Sequence, residues 1–315
     1  MPTLPPELLH GPFTLARSRE LGVTRRVLAR HFVRLHHEVW VHRDHSMSQD
    51  DHVVAARLAM PDRAHLTGIT LIQQLGLAFG PSLPLRFVIQ GDHHLALDGV
   101  FLHRTKRLPP LGDIGVKPAA AFIAYCARAR VIDAIKVGDW LLHRGCLTVA
   151  EVRALALREL WRAGAHEAIW ILEHLDGDAR SLPESELRAL LVFAGLEAPE
   201  VNVAIDDGPD SQIVCDLVYR RWRTVVEHEG AHHQEDREQY NLDLGRYAWM
   251  RRRDIGYVQS THEKLRHPRS LVGEVFAELV SRGYDGRAPV FGERWARLFM
   301  RISPVLGPRL YPPRR

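Results

Sequence analysis

The fold prediction starts from residues 213–233, which read Ile213-Val-Cys-Asp-Leu-Val-Tyr-Arg-Arg-Trp-Arg-Thr-Val-Val-Glu-His-Glu-Gly-Ala-His-His233. Two apolar, β-branched runs flank the basic turn Arg220-Arg-Trp-Arg223, and this pattern predicts two adjacent antiparallel strands. Asp216 lies on the first strand and Glu227 on the second, so we expect their carboxylates to face one another. Glu229 shares the face of Glu227, because side chains two apart on a strand point the same way.

The three acids precede a pair of histidines, His232 and His233. Carboxylates held close together repel one another unless a cation neutralises them, and an oxygen-rich site with few thiolates suits Mg²⁺ or Mn²⁺. We therefore expect a metal-dependent hydrolytic centre whose metal ligands are Asp216, Glu227 and Glu229. The carboxylates of Asp216 and Glu227 should lie roughly 4–6 Å apart, within reach of one ion. Either histidine would act as general acid or base.

Further motifs surround this stretch in a fixed order. Glu184 lies in Pro183-Glu-Ser-Glu-Leu-Arg188, which predicts a helix capped by Ser181. Asp243-x-x-Arg246 follows the histidines, and Gly256-Tyr257 begins a further strand. In this order, residues 181–284 resemble the Vsr-like proteins, relatives of the very-short-patch-repair endonuclease that carry the PD-(D/E)XK nuclease fold. The resemblance implies a Mg-dependent endonuclease that hydrolyses phosphodiester bonds in DNA, with a catalytic set of Glu184, Asp216, Glu227, Glu229, His232 and His233.

Two positions depart from the Vsr-like pattern, and one residue of that pattern is missing. Glu229 stands where the family usually has Asp, and His228 stands where an aromatic residue is usual. No lysine occupies the third signature position, so the resemblance does not identify a general base. Two hypotheses follow. Either histidine replaces the lysine in an active endonuclease, or the site is inactive and the nuclease fold only binds DNA.

The residues His228-Glu229-Gly230-Ala231-His232 also match the zinc-hydrolase pattern H-E-x-x-H. That pattern binds zinc only on a helix, where residues four apart share a face. Val225 and Val226 before it favour a strand, and Gly230 within it weakens a helix. A zinc hydrolase is therefore the weakest of the functional alternatives.

The N-terminal region contains a second set of motifs. Helical stretches at residues 13–21 and 25–31 are joined by Gly22-Val23-Thr24. The glycine ends the first helix, and Thr24 caps the second by accepting a backbone N–H bond. Residues 33–42 predict a short hairpin. This spacing is typical of a winged helix-turn-helix.

The second of these helices carries Arg25, Arg26 and Arg30, which we expect to contact double-stranded DNA. The alternative is that these arginines form a solvated helix face. The segment resembles the N-terminal domain of the AbiEi-like antitoxins, which have a Gly-Val-Thr turn and an Arg-Leu-x-x-Gly-Val-Tyr-Val wing. Glu38 replaces the usual Gly of that wing, and Trp40 replaces the usual Tyr. The resemblance implies a transcriptional regulator or antitoxin with a partner toxin.

The segments between these motifs complete the domain organisation. Periodicity predicts helices over residues 51–60, 66–77, 119–140 and 148–175, and strands over 85–90 and 99–105. The order of these elements is similar to the middle region of the AbiEi-like proteins. We expect an α/β (α+β) chain with four parts: a winged helix-turn-helix at 1–48, an AbiEi-like α/β middle region at 49–179, a PD-(D/E)XK-like domain at 180–285 and a C-terminal tail at 286–315.

A charged helix is expected over residues 234–252. Two of its arginines, Arg237 and Arg246, have the same two interpretations as those of the N-terminal helix: they contact DNA phosphates, or they lie on a solvated face. We include both in the expected DNA-binding set.

Composition sets the outer bounds of these hypotheses. With 315 residues, of which 46% are hydrophobic, the chain is long enough for two or three domains. The net charge of +4 agrees with a nucleic-acid partner but does not require one. Cys126, Cys146 and Cys215 are far apart in apolar surroundings, which predicts reduced thiols. Since no stretch has the pattern of a signal peptide or a membrane span, we expect a cytoplasmic protein without a membrane partner. The sequence leaves the oligomeric state open.

Overall fold

The computed structural model describes residues 4–206, 212–229 and 248–306. It divides into two compact units, Met1–Ala124 and Tyr125–Arg315. The boundary falls inside the segment that the sequence assigned to a middle region. Both units contain helices and strands, so the predicted mixture of α and β structure is confirmed.

The first unit has the two short helices and the hairpin that the sequence predicted, but residues 13 and 14, predicted as helix, form a strand that pairs with the hairpin. After a 3-10 helix at Pro6–Leu8 come β1 (Phe13–Thr14), α1 (Leu15–Glu20), α2 (Arg25–His31), β2 (Phe32–His36) and β3 (Val39–His42). The strands form an antiparallel sheet in the order β1-β3-β2. The side chain of Thr24 accepts the N–H of Val27, which confirms the predicted cap of α2.

The hairpin turn has an unusual backbone conformation at Glu38, whose φ is 59°. This left-handed region is one that glycine occupies without steric cost and that other residues seldom occupy. The turn therefore has, with a glutamate, a backbone conformation that glycine adopts more readily.

The rest of the first unit is a small α/β layer. Its elements are α3 (Gln49–Ala59), β4 (His65–Leu66), α4 (Gly68–Gln74), β5 (Leu85–Gln90) and β6 (Val100–Thr105). The sheet order is β4-β5-β6, with β5 and β6 parallel. The helix predicted from residue 66 begins later, because Leu66 pairs with Phe87 as part of the sheet.

Five helices lead into the second unit. They are α5 (Pro118–Cys126), α6 (Val131–His143), α7 (Val149–Arg158), α8 (Ala165–Ile171), followed by a 3-10 turn at Leu172–His174, and α9 (Leu182–Ala194). Each long helix that the sequence predicted over 119–140 and 148–175 is therefore two shorter ones. The second break has a clear cause: Gly164 has a φ of 92°, a left-handed conformation that a right-handed helix cannot contain.

A four-stranded sheet follows the helices. Its strands are β7 (Glu200–Asp206), β8 (Gln212–Tyr219), β9 (Thr224–Glu229) and β10 (Gly256–Thr261), in the order β10-β9-β8-β7. A 3-10 turn at Arg220–Trp222 joins β8 to β9, which pair antiparallel as predicted, whereas β10 runs parallel to β9. Residues 248–252 are helical, and β10 is followed by α10 (His262–Leu265), α11 (Pro268–Ser281), α12 (Glu293–Leu298) and α13 (Ile302–Val305).

Helix α9 is the element that joins the helices of the second unit to its sheet. It packs against α6 on one side and against β8 and β9 on the other. Its Arg188 donates to the buried carboxylate of Asp139 on α6 at 2.8 Å and to the carbonyl of His174 at 2.8 Å. This buried ion pair fixes the orientation of α9, and so the position of Glu184 in its first turn.

The segment after residue 285 contributes to the core. Trp295 and Leu298 on α12 are buried, and α12 packs against α9. The N–H of Ile302 donates to the carbonyl of Ala129 at 3.1 Å. As predicted, the three cysteines form no disulfide. Within the part of the chain that the structure covers, no helix is both long and apolar enough to cross a membrane.

Candidate acidic site and candidate nucleic-acid interface

Two of the predicted acids, Asp216 and Glu227, lie at the seam between β8 and β9. The backbone pairing of these strands runs from Tyr219 opposite Thr224 to Leu217 opposite Val226. Asp216 and Glu227 are the next residues on the two strands. The register therefore brings the two carboxylate-bearing residues to neighbouring positions, as the sequence predicted for this pair of strands.

The carboxylate of Asp216 replaces a backbone acceptor in the sheet. The carbonyl of Arg223 accepts the N–H of Gly256 from β10. Successive residues of a strand direct their backbone groups to opposite neighbours. Odd-numbered residues of β9 therefore direct theirs to β10, and even-numbered residues direct theirs to β8. The N–H of His228 therefore points to β8, where it donates to Oδ2 of Asp216 at 2.8 Å. This bond ties the side chain of Asp216 to the strand that carries Glu227.

The other two acids lie on β9 itself. Glu227 is 8% exposed, on a strand with a neighbour on each side, and Glu229 is half-buried at the end of the strand. Across the described ranges, no group of three or more His, Cys, Asp or Glu side chains is arranged to hold a metal ion. His232 and His233 lie outside those ranges. The predicted metal set of Asp216, Glu227 and Glu229 stays a prediction.

Glu184 lies close to this seam. It is buried, and its carboxylate accepts hydrogen bonds from neighbouring residues. Ser181 caps α9 as predicted, accepting the N–H of Glu184 at 3.3 Å. Oε2 of Glu184 accepts the N–H of Arg180 at 2.9 Å and the side-chain amide of Asn202 at 2.7 Å. The same amide donates to the carbonyl of Asp178 at 2.7 Å. Glu184 thus ties the start of α9 to strand β7.

Asn202 is a site residue that the sequence analysis did not identify. Its φ is 48°, and the pairing of β7 with β8 passes from Val201 opposite Leu217 to Val203 opposite Cys215 without including Asn202 or Asp216. Asparagine adopts this left-handed conformation more readily than most residues. The tolerance of asparagine for this conformation was the only feature of the sequence that could have indicated Asn202. Asparagines are too common for that feature to identify a site.

The pKa of His228 is shifted in this region. Its ring is half-buried, and Nδ1 lies 3.4 Å from Oγ of Ser260, the residue opposite it on β10. Burial lowers the pKa of His228, and His262 acts in the same direction. The nearby carboxylates of Glu184, Glu186 and Glu229 oppose this shift of the pKa. Burial therefore favours the neutral imidazole over the charged one.

The zinc-hydrolase pattern does not have the helix that it needs. His228 and Glu229 are the last two residues of strand β9. Gly230, Ala231 and His232 lie outside the described ranges. The strand that the two preceding valines predicted is confirmed.

The basic helix of the first unit has the exposure that a binding surface requires. Arg25, Arg26 and Arg30 are all exposed, whereas Leu28 on the same helix is buried in a cluster with Phe32 and its neighbours. The apolar face of α2 is thus fixed to the core and its basic face is open to solvent. The other predicted DNA-binding residues, Arg237 and Arg246, lie outside the residues that the structure describes.

The end of α2 is held by an arginine from the hairpin. The guanidinium of Arg43 donates to the carbonyls of Ala29 and Arg30, each at 3.1 Å. A cation at a helix C-terminus is favourable because the last carbonyls have no partner within the helix. The hairpin is therefore bonded to the basic helix, in addition to packing beside it.

No protein-family model matches the chain, and no curated protein sequence matches it significantly.

Proposed function

We propose that the chain is a DNA-binding protein with a metal-dependent endonuclease site in its second unit. The observation that carries the proposal is the bond between the Asp216 carboxylate and the N–H of His228, which holds one acid at the seam beside the buried Glu227. A carboxylate buried on a central strand costs free energy, so a chain keeps it there when a cation or a hydrogen-bond network compensates.

DNA binding is assigned to the first unit. Two short helices, the second capped by Thr24, and a hairpin bonded to that helix support this proposal, because winged helix-turn-helix proteins use such elements to bind DNA. Arg25, Arg26 and Arg30 would contact phosphates or base edges from the exposed face of α2.

The donor set at the seam fits Mg²⁺ or Mn²⁺, since both ions prefer carboxylate oxygens. Asp216 and Glu227 would hold the ion, and Glu229 at the end of β9 would have to move to join them, because no three such side chains of the described ranges are arranged around one ion. Such an ion, when bound, polarises a phosphodiester and lowers the pKa of a water molecule.

The backbone of the chain would prepare this site. The N–H of His228 fixes the rotamer of Asp216, so less conformational freedom is lost on binding. This is a positioning role, and the proton-transfer step would belong to His232 or His233.

A second candidate function is a transcriptional regulator or antitoxin that binds DNA without cutting it. One observation favours it: Oε2 of Glu184 is engaged by Asn202 and by a backbone N–H, so this acid has a structural task. The missing lysine of the nuclease pattern agrees with it. Both candidates share the DNA-binding unit, and they differ in whether the seam cleaves DNA.

Cleavage of supercoiled plasmid in Mg²⁺ or Mn²⁺ separates the two candidates. We expect the wild type to nick the plasmid, and Asp216→Asn and Glu227→Gln to lose about 100-fold or more of that activity. Glu173→Gln, an exposed carboxylate on the 3-10 turn before α9, is the matched control and should keep full activity. Activity that survives both seam substitutions would assign the cleavage to a contaminant. No cleavage by any variant would support the regulator.

A further inference from the structure

Two arginine-rich segments, far apart in the sequence, meet at one end of the four-stranded sheet. The first is the turn Arg220–Arg223 between β8 and β9, and the second is Arg251–Arg253, just before β10. Because β9 and β10 are parallel neighbours, both begin at the same end, where Gly256 donates to the carbonyl of Arg223 at 2.8 Å. We call this surface the arginine edge; it comprises Arg220, Arg221, Arg223, Arg251, Arg252, Arg253 and Arg282.

The arginine edge surrounds a cleft of about 250 Å³. The lining residues are Arg221, Trp222, Arg223, Asp254, Ser281 and Arg282. Arg223 donates to the carbonyl of Arg253, and Arg282 donates to the carbonyl of Asp254 at 2.6 Å. The bond from Arg223 joins the turn before β9 to the segment before β10. The bond from Arg282 joins the end of α11 to the same segment, so the two arginines hold the walls of the cleft together.

The backbone around the cleft is strained. Arg223 has a φ of 45° and Asp254 a φ of 54°, and both line the cleft. Such conformations cost free energy for residues other than glycine, and they concentrate at binding and catalytic sites. Gly256 is constrained as well, because a Cβ there would come within 2.3 Å of Arg282 Nε.

The arginines have separate tasks within this edge. Arg223 and Arg282 are bonded to backbone carbonyls, and Arg220 pairs with Glu200. Arg251 and Arg252 at the helix end are exposed, and so is Arg221, which pairs with the exposed Asp285 at 2.6 Å. An exposed ion pair of this kind is weak and exchanges readily for another anion.

We propose that the arginine edge binds backbone phosphates of nucleic acid, as a second contact surface separate from helix α2. Arginine suits this task because its planar guanidinium donates two parallel hydrogen bonds to a phosphate. Trp222 is 5% exposed and lies under the guanidinium of Arg221 at 5.1 Å, so it is not available to stack on a base. The edge therefore binds the backbone without reading sequence.

The position of the edge relative to the acids sets the geometry of the contact. Strand β9 begins beside Arg223 and ends at Glu229, and its length corresponds to about 17 Å. At about 3.4 Å per nucleotide along one strand, phosphates at the edge and at the acids are about five nucleotide steps apart. This inference takes DNA as the ligand from the proposed function, and it is independent of whether the acids cleave.

The test is the salt dependence of binding to a labelled duplex, measured with the full chain. The variant R221A/R251A/R252A removes exposed guanidiniums and leaves Arg223 and Arg282 in place. The control R144A/R153A/R158A removes the same charge from exposed positions after α6 and on α7. We expect the edge variant to make the slope of log affinity against log salt less negative by about 0.9 per lost phosphate contact, and the control to leave the slope unchanged.

Equal slopes for the edge variant and the control would overturn the inference. So would an edge variant that keeps wild-type DNA binding but loses binding to phosphatidylserine vesicles, because that result assigns the edge to a membrane surface. The variant R25A/R26A/R30A, tested in parallel, reports on the proposed function separately. If it keeps the wild-type slope while the edge variant loses slope, the basic helix is not a DNA contact and the inference stands.

Discussion

The two ends of strand β9 differ in both charge and burial. At its beginning, Arg223 lies beside an exposed surface of arginines around an open cleft. At its far end, Glu227 is buried, and the neighbouring Asp216 is bonded to the backbone of His228. The same strand therefore has exposed positive side chains near its beginning and a buried negative side chain near its end.

This difference determines what a substitution should do at each end. A side chain bonded into a buried seam contributes to stability as well as to function, because its removal leaves a polar group without a partner. An exposed arginine contributes little to stability and mainly changes affinity and its dependence on salt. Stability measurements thus separate the two ends of β9 without any knowledge of the ligand.

The largest effect on stability is expected at the seam. In Asp216→Ala the N–H of His228 loses its acceptor, and we expect a loss of about 1–3 kcal/mol in the free energy of unfolding. Asp216→Asn keeps an acceptor oxygen and should lose less. Urea denaturation of both variants measures the difference. If the two variants were equally stable, the bond from His228 would contribute nothing.

A smaller effect is expected at the arginine end. Gly256→Ala places a Cβ where Arg282 and Glu278 now lie, so the guanidinium must leave the carbonyl of Asp254, at a cost of about 1 kcal/mol. Gly273→Ala is the matched control. It lies within α11 with open space around it, and alanine there should stabilise the helix by about 0.5–1 kcal/mol. Thermal unfolding should therefore shift in opposite directions, and a stabilised Gly256→Ala variant would show that the guanidinium is not held there.

The smallest effect concerns pH. Burial lowers the pKa of His228 in the folded state below the ordinary value of about 6.5, so the unfolded chain takes up a proton first as pH falls. The contribution of His228 to stability is therefore full above about pH 6.5 and is lost as pH falls toward the folded pKa. His228→Gln should reduce the decline in stability between pH 7 and 5. If the decline in stability were the same in this variant as in the wild type, the imidazole of His228 would be exposed to water in the folded state.

Local signals in the sequence were sufficient for much of the fold. Thr24 and Ser181 were expected to cap helices, and both do. The apolar, β-branched runs around Asp216 and Glu227 predicted two antiparallel strands, which the register confirms. Helix caps and β-branched runs depend on residues close together in the chain, so they can be recognised in the sequence directly.

Features that depend on long-range contacts could not be predicted in this way. Asn202 meets Glu184 only because β7 folds back beside the start of α9. Arg223 meets Arg253 only because β9 and β10 begin at the same end of the sheet. The packing of Ile302 near Ala129 likewise joins positions far apart in the chain. No local pattern marks such partners, and only the sheet order brings them together.

Binding of Mn²⁺, followed by electron paramagnetic resonance of the free ion, tests the acidic site most directly. We predict that the wild type binds Mn²⁺, that Asp216→Asn and Glu227→Gln weaken binding by about 10–100-fold, and that Glu173→Gln binds as the wild type does. Wild-type binding in both seam variants, or no binding by the wild type, would contradict a metal site between β8 and β9.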